Sequence, residues 1–86
     1  MKNKVLISLE MPEIDVKFDM FIPVNEVVWK IKELILKGIS DVLNFELDLN
    51  DEFILINKKN STIYSNNDII INTDIRNYTE LILISN

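Results

Sequence analysis

Two stretches near the start of the chain alternate between hydrophobic and polar residues, and each predicts a β-strand. The first covers residues 5–11 and reads VLISLEM. The second covers residues 14–22, IDVKFDMFI, and its strict alternation is typical of a sheet with one buried face. Only Pro12 and Glu13 separate the two runs, so we expect a tight hairpin. Pro23 should end the second strand, because proline cannot donate a hydrogen bond to a neighbouring strand.

The next segment, VVWKIKELILKGISDVL, has helical spacing and predicts a long helix. Asn25 is the expected N-cap, because its side chain can accept a hydrogen bond from an unpaired backbone N–H. The helix should be about 18–20 residues long, or near 30 Å at about 1.5 Å per residue. Gly38 should weaken its middle by about 1 kcal/mol relative to alanine. The face expected to be buried comprises Val28, Ile31, Ile35 and Val42, flanked by Val27, Leu34 and Ile39.

The remainder of the chain predicts further short strands joined by polar segments. We expect a loop over residues 44–52, strands over residues 53–57, 63–65 and 79–84, and an irregular crossing anchored by Ile75. A hairpin, one helix and then more strands is the β-grasp order, in which a sheet and a helix enclose one core. The pattern therefore predicts a single α+β domain over residues 1–86, with a mixed sheet of four to five strands packed on one long helix.

The composition removes most catalytic and ligand-binding chemistry from consideration. With 48% hydrophobic residues the chain can form a core, whereas it contains no cysteine and no histidine. A thiolate nucleophile, a cysteine-based zinc site and the commonest general base are therefore excluded. The single glycine does not allow a phosphate-binding loop, and LDLNDEF lacks the glycine and the final glutamate of a calcium-binding loop. We expect no catalytic residues, no cofactor and no metal.

The net charge and the hydropathy of the chain limit the partners and the cellular location that we expect. A net charge of −5 disfavours nucleic acid as a partner, since phosphate backbones attract lysine and arginine. No stretch approaches the roughly 18 apolar residues of a membrane-spanning helix, and the first residues do not read as a signal peptide. We expect a cytoplasmic protein without direct membrane insertion.

The end of the chain resembles the closing segment of ubiquitin-like proteins. It carries an isoleucine, three residues, a threonine and a strand with alternate leucines, here Ile75, Thr79, Leu81 and Leu83. The hairpin ending in IP and the segment VNEVVWKIKELIL resemble the middle of that fold. Among bacterial proteins, the size, acidity and element order are similar to the EsaB/YukD family, small cytosolic accessory factors of type VII (ESX-type) secretion in low-GC Gram-positive bacteria.

The resemblance implies a non-catalytic protein that supports or regulates export by a membrane secretion machine with an FtsK/SpoIIIE-type ATPase. Conjugation through the C-terminus is not expected, because the reactive tails of ubiquitin-like modifiers end in Gly-Gly. The glycine of this chain, Gly38, lies in the predicted helix, and the last residues are Ile84, Ser85 and Asn86. The alternative is a β-grasp interaction module of unrelated role, such as a small regulatory or toxin-neutralising protein.

Two surfaces are candidate binding sites for a protein partner. If Leu81 and Leu83 point inward, Ile82 and Ile84 point outward, and Leu6 should lie beside them because the first and last strands are neighbours in this fold. Exposed apolar patches of this kind commonly mark protein-binding sites. The alternatives are that a loop or a second copy covers this face, or that the inward and outward phases are reversed.

The second candidate is a stripe on the helix, formed by Trp29, Leu36 and Leu43 at seven-residue spacing. Tryptophan is enriched at interface hot spots, so an exposed Trp29 would be an anchor for a partner. Core packing of the stripe is the favoured interpretation, because a wide apolar face on a long helix is often buried. Exposed apolar sheet edges would also allow a homodimer.

Overall fold

The computed structural model describes residues 3–43 and 52–85, which form a mixed sheet with a helix packed on one face. The strands and the helix are β1 (Lys4–Met11), β2 (Val16–Pro23), α1 (Val28–Leu43), β3 (Phe53–Asn57) and β4 (Glu80–Ser85). The described strands are ordered β2-β1-β4-β3. β1 and β4 are parallel, while the other two pairs are antiparallel. This arrangement confirms the predicted α+β β-grasp fold. None of the described helices is both long enough and apolar enough to cross a membrane.

The connection between β1 and β2 is longer than the predicted two-residue turn. Pro12–Ile14 form a 3₁₀ turn, and Asp15 has a left-handed backbone with φ 54°, its N–H donating to the carbonyl of Pro12 at 3.2 Å. Proline starts such a turn readily, and aspartate tolerates the left-handed region better than most residues. Ile14, predicted to begin the second strand, therefore lies in the turn, and β2 begins at Val16.

The helix begins at Val28, and the prediction of Asn25 as its N-cap is wrong. The N–H groups of Val28 and Trp29 donate to the backbone carbonyls of Asp68 (2.9 Å) and Asn66 (3.1 Å). These first N–H groups have no partner within a helix, so a segment nearly 40 residues later in the chain satisfies them here. The helix accordingly has 16 residues, somewhat fewer than predicted.

The buried face of α1 is rotated and shortened relative to the prediction. Its buried residues are Val28, Ile31, Ile35, Leu36 and Ile39. Val42, predicted to be buried, is 81% exposed, and its neighbours Asp41 and Leu43 are also exposed, because the last turn of α1 extends past the core. Leu36, predicted to lie off the core row, is only 5% exposed.

The predicted strand over residues 63–65 is reduced to a single β-bridge between Ile63 and Ile56. Two backbone hydrogen bonds flank this bridge, from Asn57 N–H to the Thr62 carbonyl and from Tyr64 N–H to the Leu55 carbonyl. Beyond Tyr64 the chain turns at residues 65–68 and continues to α1, where its carbonyls cap the helix.

Candidate functional site

The outer face of the sheet, opposite α1, carries a cluster of isoleucines on β3 and β4. Leu81 and Leu83 are buried on the helix side, as predicted, and the intervening residues point outward. The antiparallel register pairs Ile82 with Ile56 and Ile84 with Ile54, and the β-bridge adds Ile63 beside Ile56. We call these residues the isoleucine patch: Ile54, Ile56, Ile63, Ile82 and Ile84.

The members of the patch differ in exposure. Ile63 is 63% exposed at the rim, whereas the other four pack side by side and are half-buried. Ile54 and Ile56 were not among the predicted site residues. FILIN is apolar at four successive positions, so one phase of the strand must place apolar residues on the outer face. Because Leu55 is fully buried, that phase is Ile54 and Ile56. An apolar cluster on an outer sheet face is the kind of surface that a protein partner can cover.

Leu6 does not belong to the patch, contrary to the prediction. In the parallel register of β1 and β4, Ile82 is the partner of Glu10, which lies four residues beyond Leu6. At about 3.3 Å per residue, Leu6 is about 13 Å away along the strand. It pairs with Phe21 of β2, and its carbonyl accepts a hydrogen bond from Tyr78 N–H at 2.6 Å. Leu6 therefore lies in a separate apolar cluster.

A charged pair borders the isoleucine patch on the side of β1. Lys58 Nζ lies 3.1 Å from Glu10 Oε1, and Glu10 is the neighbour of Ile82 across the sheet. The hydrogen bond from Lys58 to Glu10, together with the negative charge of Glu10, raises the pKa of Lys58. Both charges are thus held beside an apolar surface, where a partner could meet them as part of a polar rim.

A polar network supports the loop that carries Ile63. The hydroxyl of Tyr64 donates to the Asp74 carboxylate and accepts a hydrogen bond from Asn57 Nδ2 at 3.1 Å, while Asn60 Nδ2 donates to Asp74 Oδ2 at 3.0 Å. Burial first, and then the hydrogen bond to Asp74, raises the pKa of Tyr64 to about 12. The hydrogen bond from Tyr64 is also the main cause of a lowered pKa at Asp74.

The hydrogen bonds of this network hold neighbouring segments of the fold together. Asn57 is 6% exposed, and its Oδ1 also accepts a hydrogen bond from the backbone N–H of Lys59 at 2.9 Å. No buried side-chain nitrogen or oxygen of the described residues lacks a hydrogen-bond partner. The acidic groups of the described residues do not cluster into a site that could hold a metal ion. The predicted acidic loop lies outside the described residues, apart from Glu52.

The helix stripe is not continuous. Trp29 and Leu43 are each 44% exposed, whereas Leu36 between them is buried in the core. The favoured core interpretation is therefore correct for Leu36 and wrong for Trp29 and Leu43. The ammonium of Lys30 lies 5.5 Å from the centroid of the Trp29 ring, within the range of a cation–π contact. Whether Trp29 binds a partner stays a hypothesis, without the contiguous surface that the spacing suggested.

Comparisons with known proteins show the fold of the chain. Neither the protein-family models nor the curated proteins contain a match. A chain of an ESX-5 inner membrane complex superposes with a TM-score of 0.79 and 13% identity over 98% of this chain and 21% of that one. The present chain thus spans about a fifth of the length of that neighbour.

Two neighbours of similar length come from other kinds of protein. A chain of a toluene 4-monooxygenase HD complex superposes with a TM-score of 0.73 and 6% identity, over 96% of this chain and 99% of that one. The UBL domain of Plasmodium falciparum Dsk2 superposes with a TM-score of 0.70 and 11% identity, over the same two shares. Ubiquitin-like domains from other proteins superpose as well. At such low identities these likenesses establish a fold and no more: the chain has the ubiquitin-like fold.

Proposed function

We propose that this chain is a non-catalytic ubiquitin-like module that binds a protein component of a type VII secretion machinery, as proteins of the EsaB/YukD type do. In this proposal it acts in the cytoplasm and reaches the inner face of the membrane through its partner. The superposition on a chain of an ESX-5 inner membrane complex supports the choice of machinery. The other four fifths of that neighbour have no counterpart in this chain.

The observation that carries the binding role is the isoleucine patch. Four half-buried isoleucines and the exposed Ile63 form one apolar surface, and the Lys58–Glu10 pair lies at its border. A partner that covers the patch would remove apolar area from water, which is the main favourable term in protein association. The adjacent charges would fix the orientation of the partner more than they would add affinity.

A co-purification experiment from membranes tests the proposal, with charge substitutions inside and outside the patch. Ile63→Glu places a charge at an exposed position of the patch, and Ile82→Glu places one at its centre. Ile71→Glu is the matched control, because Ile71 is 58% exposed and lies outside the patch. Leu6→Glu provides a second control on the same face of the sheet. Circular dichroism checks that each variant is folded.

We expect the unmodified protein to recover a membrane component of the secretion machine, and both patch variants to lose it by roughly tenfold or more in affinity. The two controls should retain it. Equal recovery with folded patch variants would refute the patch as the binding site. Recovery of a soluble protein in place of a membrane component would refute the secretion role.

The alternative is a β-grasp interaction module of unrelated role, such as a regulatory or toxin-neutralising protein. The superposition on a chain of an enzyme complex, which covers nearly all of both chains, supports this alternative. In that case the patch variants should lose a soluble partner instead.

A further inference from the structure

Strand β2 forms an edge of the sheet with unpaired backbone groups. β1 lies on one side of it, and no described strand lies on the other. Val24 N–H donates to the Asn3 carbonyl at 2.8 Å, which extends the register that pairs Phe18 with Leu9. Hydrogen bonding alternates along an antiparallel pair, so the even-numbered residues of β2 direct their N–H and C=O groups toward β1. Lys17 and Asp19 consequently direct theirs outward, with no backbone partner among the described residues.

The apolar side chains of β2 are incompletely covered on the helix side. Phe18 and Met20 pack against the core, and Val16 lies on the same face of the strand by alternation, yet each of the three is only half-buried. Ile22, on the same face near the end of the strand, is fully buried. A strand whose inward side chains remain half-exposed, and whose backbone is unpaired, offers both an apolar and a hydrogen-bonding surface at one edge.

The helix leaves this edge open because it is attached to the opposite edge. Lys32 Nζ donates to the carbonyl of Phe53 at 2.7 Å, which ties one flank of α1 to β3. Leu34 lies about 160° around the helix from Lys32, on the flank that faces away from β3, and it is 45% exposed. The flank of α1 that points away from β3 therefore also carries an exposed apolar side chain.

The charges on β2 are self-complementary in one antiparallel register. The outward-directed backbone groups can pair only when a two-fold axis passes through a residue position. An axis through Phe18 sets Lys17 opposite Asp19 of the second copy, and Asp19 opposite Lys17 of the second copy. An axis at Lys17 or at Asp19 sets that charge against itself, which is destabilising. An axis at Met20 sets Lys17 opposite Pro23, which has no N–H to donate.

We propose that β2 pairs antiparallel with β2 of a second copy of this chain, about a two-fold axis at Phe18. The two sheets, each of four described strands, then become one continuous sheet. Lys17 and Asp19 form the hydrogen-bonded pairs, with their side chains as ion pairs on the outer face. The two Phe18 side chains meet across the axis on the helix side. The interface is small, so we expect a dissociation constant on the order of micromolar.

Charge reversal tests the register, with sedimentation velocity from about 1 µM to about 1 mM as the readout. Lys17→Asp sets two carboxylates against each other at both ends of the pairing, and Asp19→Lys does the same with two ammonium groups. Each variant alone should weaken the dimer at least about fivefold. An equimolar mixture of the two should restore it, because every facing pair is then complementary. Lys59→Asp, with the same charge change on an exposed loop, should leave it intact.

A disulfide test locates the axis independently. In a non-hydrogen-bonded pair the two Cα atoms are about 4.5 Å apart, within disulfide range. The chain contains no cysteine, so Phe18→Cys should form a covalent dimer under mild oxidation. Met20→Cys should not, because the two Met20 positions are about 13 Å apart in this register.

Three outcomes would overturn the proposal. They are a wild-type protein that remains monomeric to about 1 mM, a dimer unaffected by both charge reversals, and a mixture of the two variants that fails to associate while circular dichroism shows both to be folded. None of these measurements involves a secretion component, so the dimer and the proposed function can fail separately.

Discussion

Tyr64 should make the stability of the protein depend on pH in the alkaline range. Its pKa is raised to about 12 from an ordinary value of 10.0, because the ring is buried and its hydroxyl donates to the Asp74 carboxylate. The folded protein therefore holds the phenol proton more tightly than the unfolded chain does. The resulting stabilisation is complete below about pH 10 and is lost as the pH rises toward about 12.

The magnitude follows from the size of the pKa shift. Two pKa units correspond to roughly 2.7 kcal/mol at about 1.36 kcal/mol per unit. That figure is a ceiling, because Asp74 is exposed and water screens its charge. We expect a loss of about 1–2 kcal/mol in the free energy of unfolding between about pH 10 and pH 12.

Urea unfolding of the wild type and Tyr64→Phe at about pH 9 and pH 12 measures this contribution. Lysine deprotonation affects both proteins equally, so the difference between their pH dependences isolates Tyr64. The chain has two tyrosines, so tyrosinate absorbance in a Tyr78→Phe background titrates Tyr64 alone. Identical pH dependences, or a titration of Tyr64 near pH 10, would refute the reasoning.

Three further predictions follow from burial, helix propensity and hydrogen bonding. Gly38→Ala should stabilise the protein by about 1 kcal/mol in thermal unfolding, since Gly38 is helical and a Cβ there meets no atom within 4 Å. Leu55→Ala should cost about 3 kcal/mol in urea unfolding, whereas Val42→Ala should change stability by less than about 0.5 kcal/mol. Glu13 accepts hydrogen bonds from Ser85 N–H (2.5 Å) and Oγ (2.7 Å), which lower its pKa. Because the pKa of Glu13 is lower in the folded protein than in the unfolded chain, these hydrogen bonds should stabilise the fold above pH 4.5, and this stabilisation should be lost as the pH falls below 4.5. Glu13→Gln should therefore reduce the difference in unfolding free energy between neutral and acid pH.

The runs of hydrophobic residues were sufficient to predict most of the sheet. They identified the strands that became β1 to β4. The inward direction of Leu81 and Leu83 and the outward direction of Ile82 were stated as a condition, because TELILI is apolar at both phases, and the structure has that arrangement. Side-chain direction in a strand has a period of two and does not depend on distant contacts. Such local regularities are visible in the residue pattern.

The errors arose where distant segments determine local structure. Asn25 was predicted as the N-cap because side-chain capping can be inferred locally, whereas carbonyls of residues 66 and 68 satisfy the first N–H groups of the helix. Leu6 was placed beside Ile82 because neighbouring strands were correctly inferred but their relative shift was not. Core packing was favoured for the whole stripe of Trp29, Leu36 and Leu43, but Trp29 and Leu43 are exposed, because the angular width of the helix face that the sheet covers depends on packing.

The isoleucine patch lies on β3 and β4, at the end of the strand order away from the β2 edge. One chain can therefore use both surfaces at once. A two-fold axis perpendicular to the sheet places both outer faces on the same side, and a dimer would present two patches in one direction. A partner with two binding sites would then gain affinity from simultaneous contact, without any change in either patch. Under that arrangement Ile63→Glu should weaken partner binding by roughly tenfold or more and leave the dimer unchanged. Lys17→Asp should weaken binding to a bivalent partner and leave the affinity for a single site unaltered. If Lys17→Asp also reduced the single-site affinity, the two surfaces would not be independent, and the partner would have to contact β2 itself.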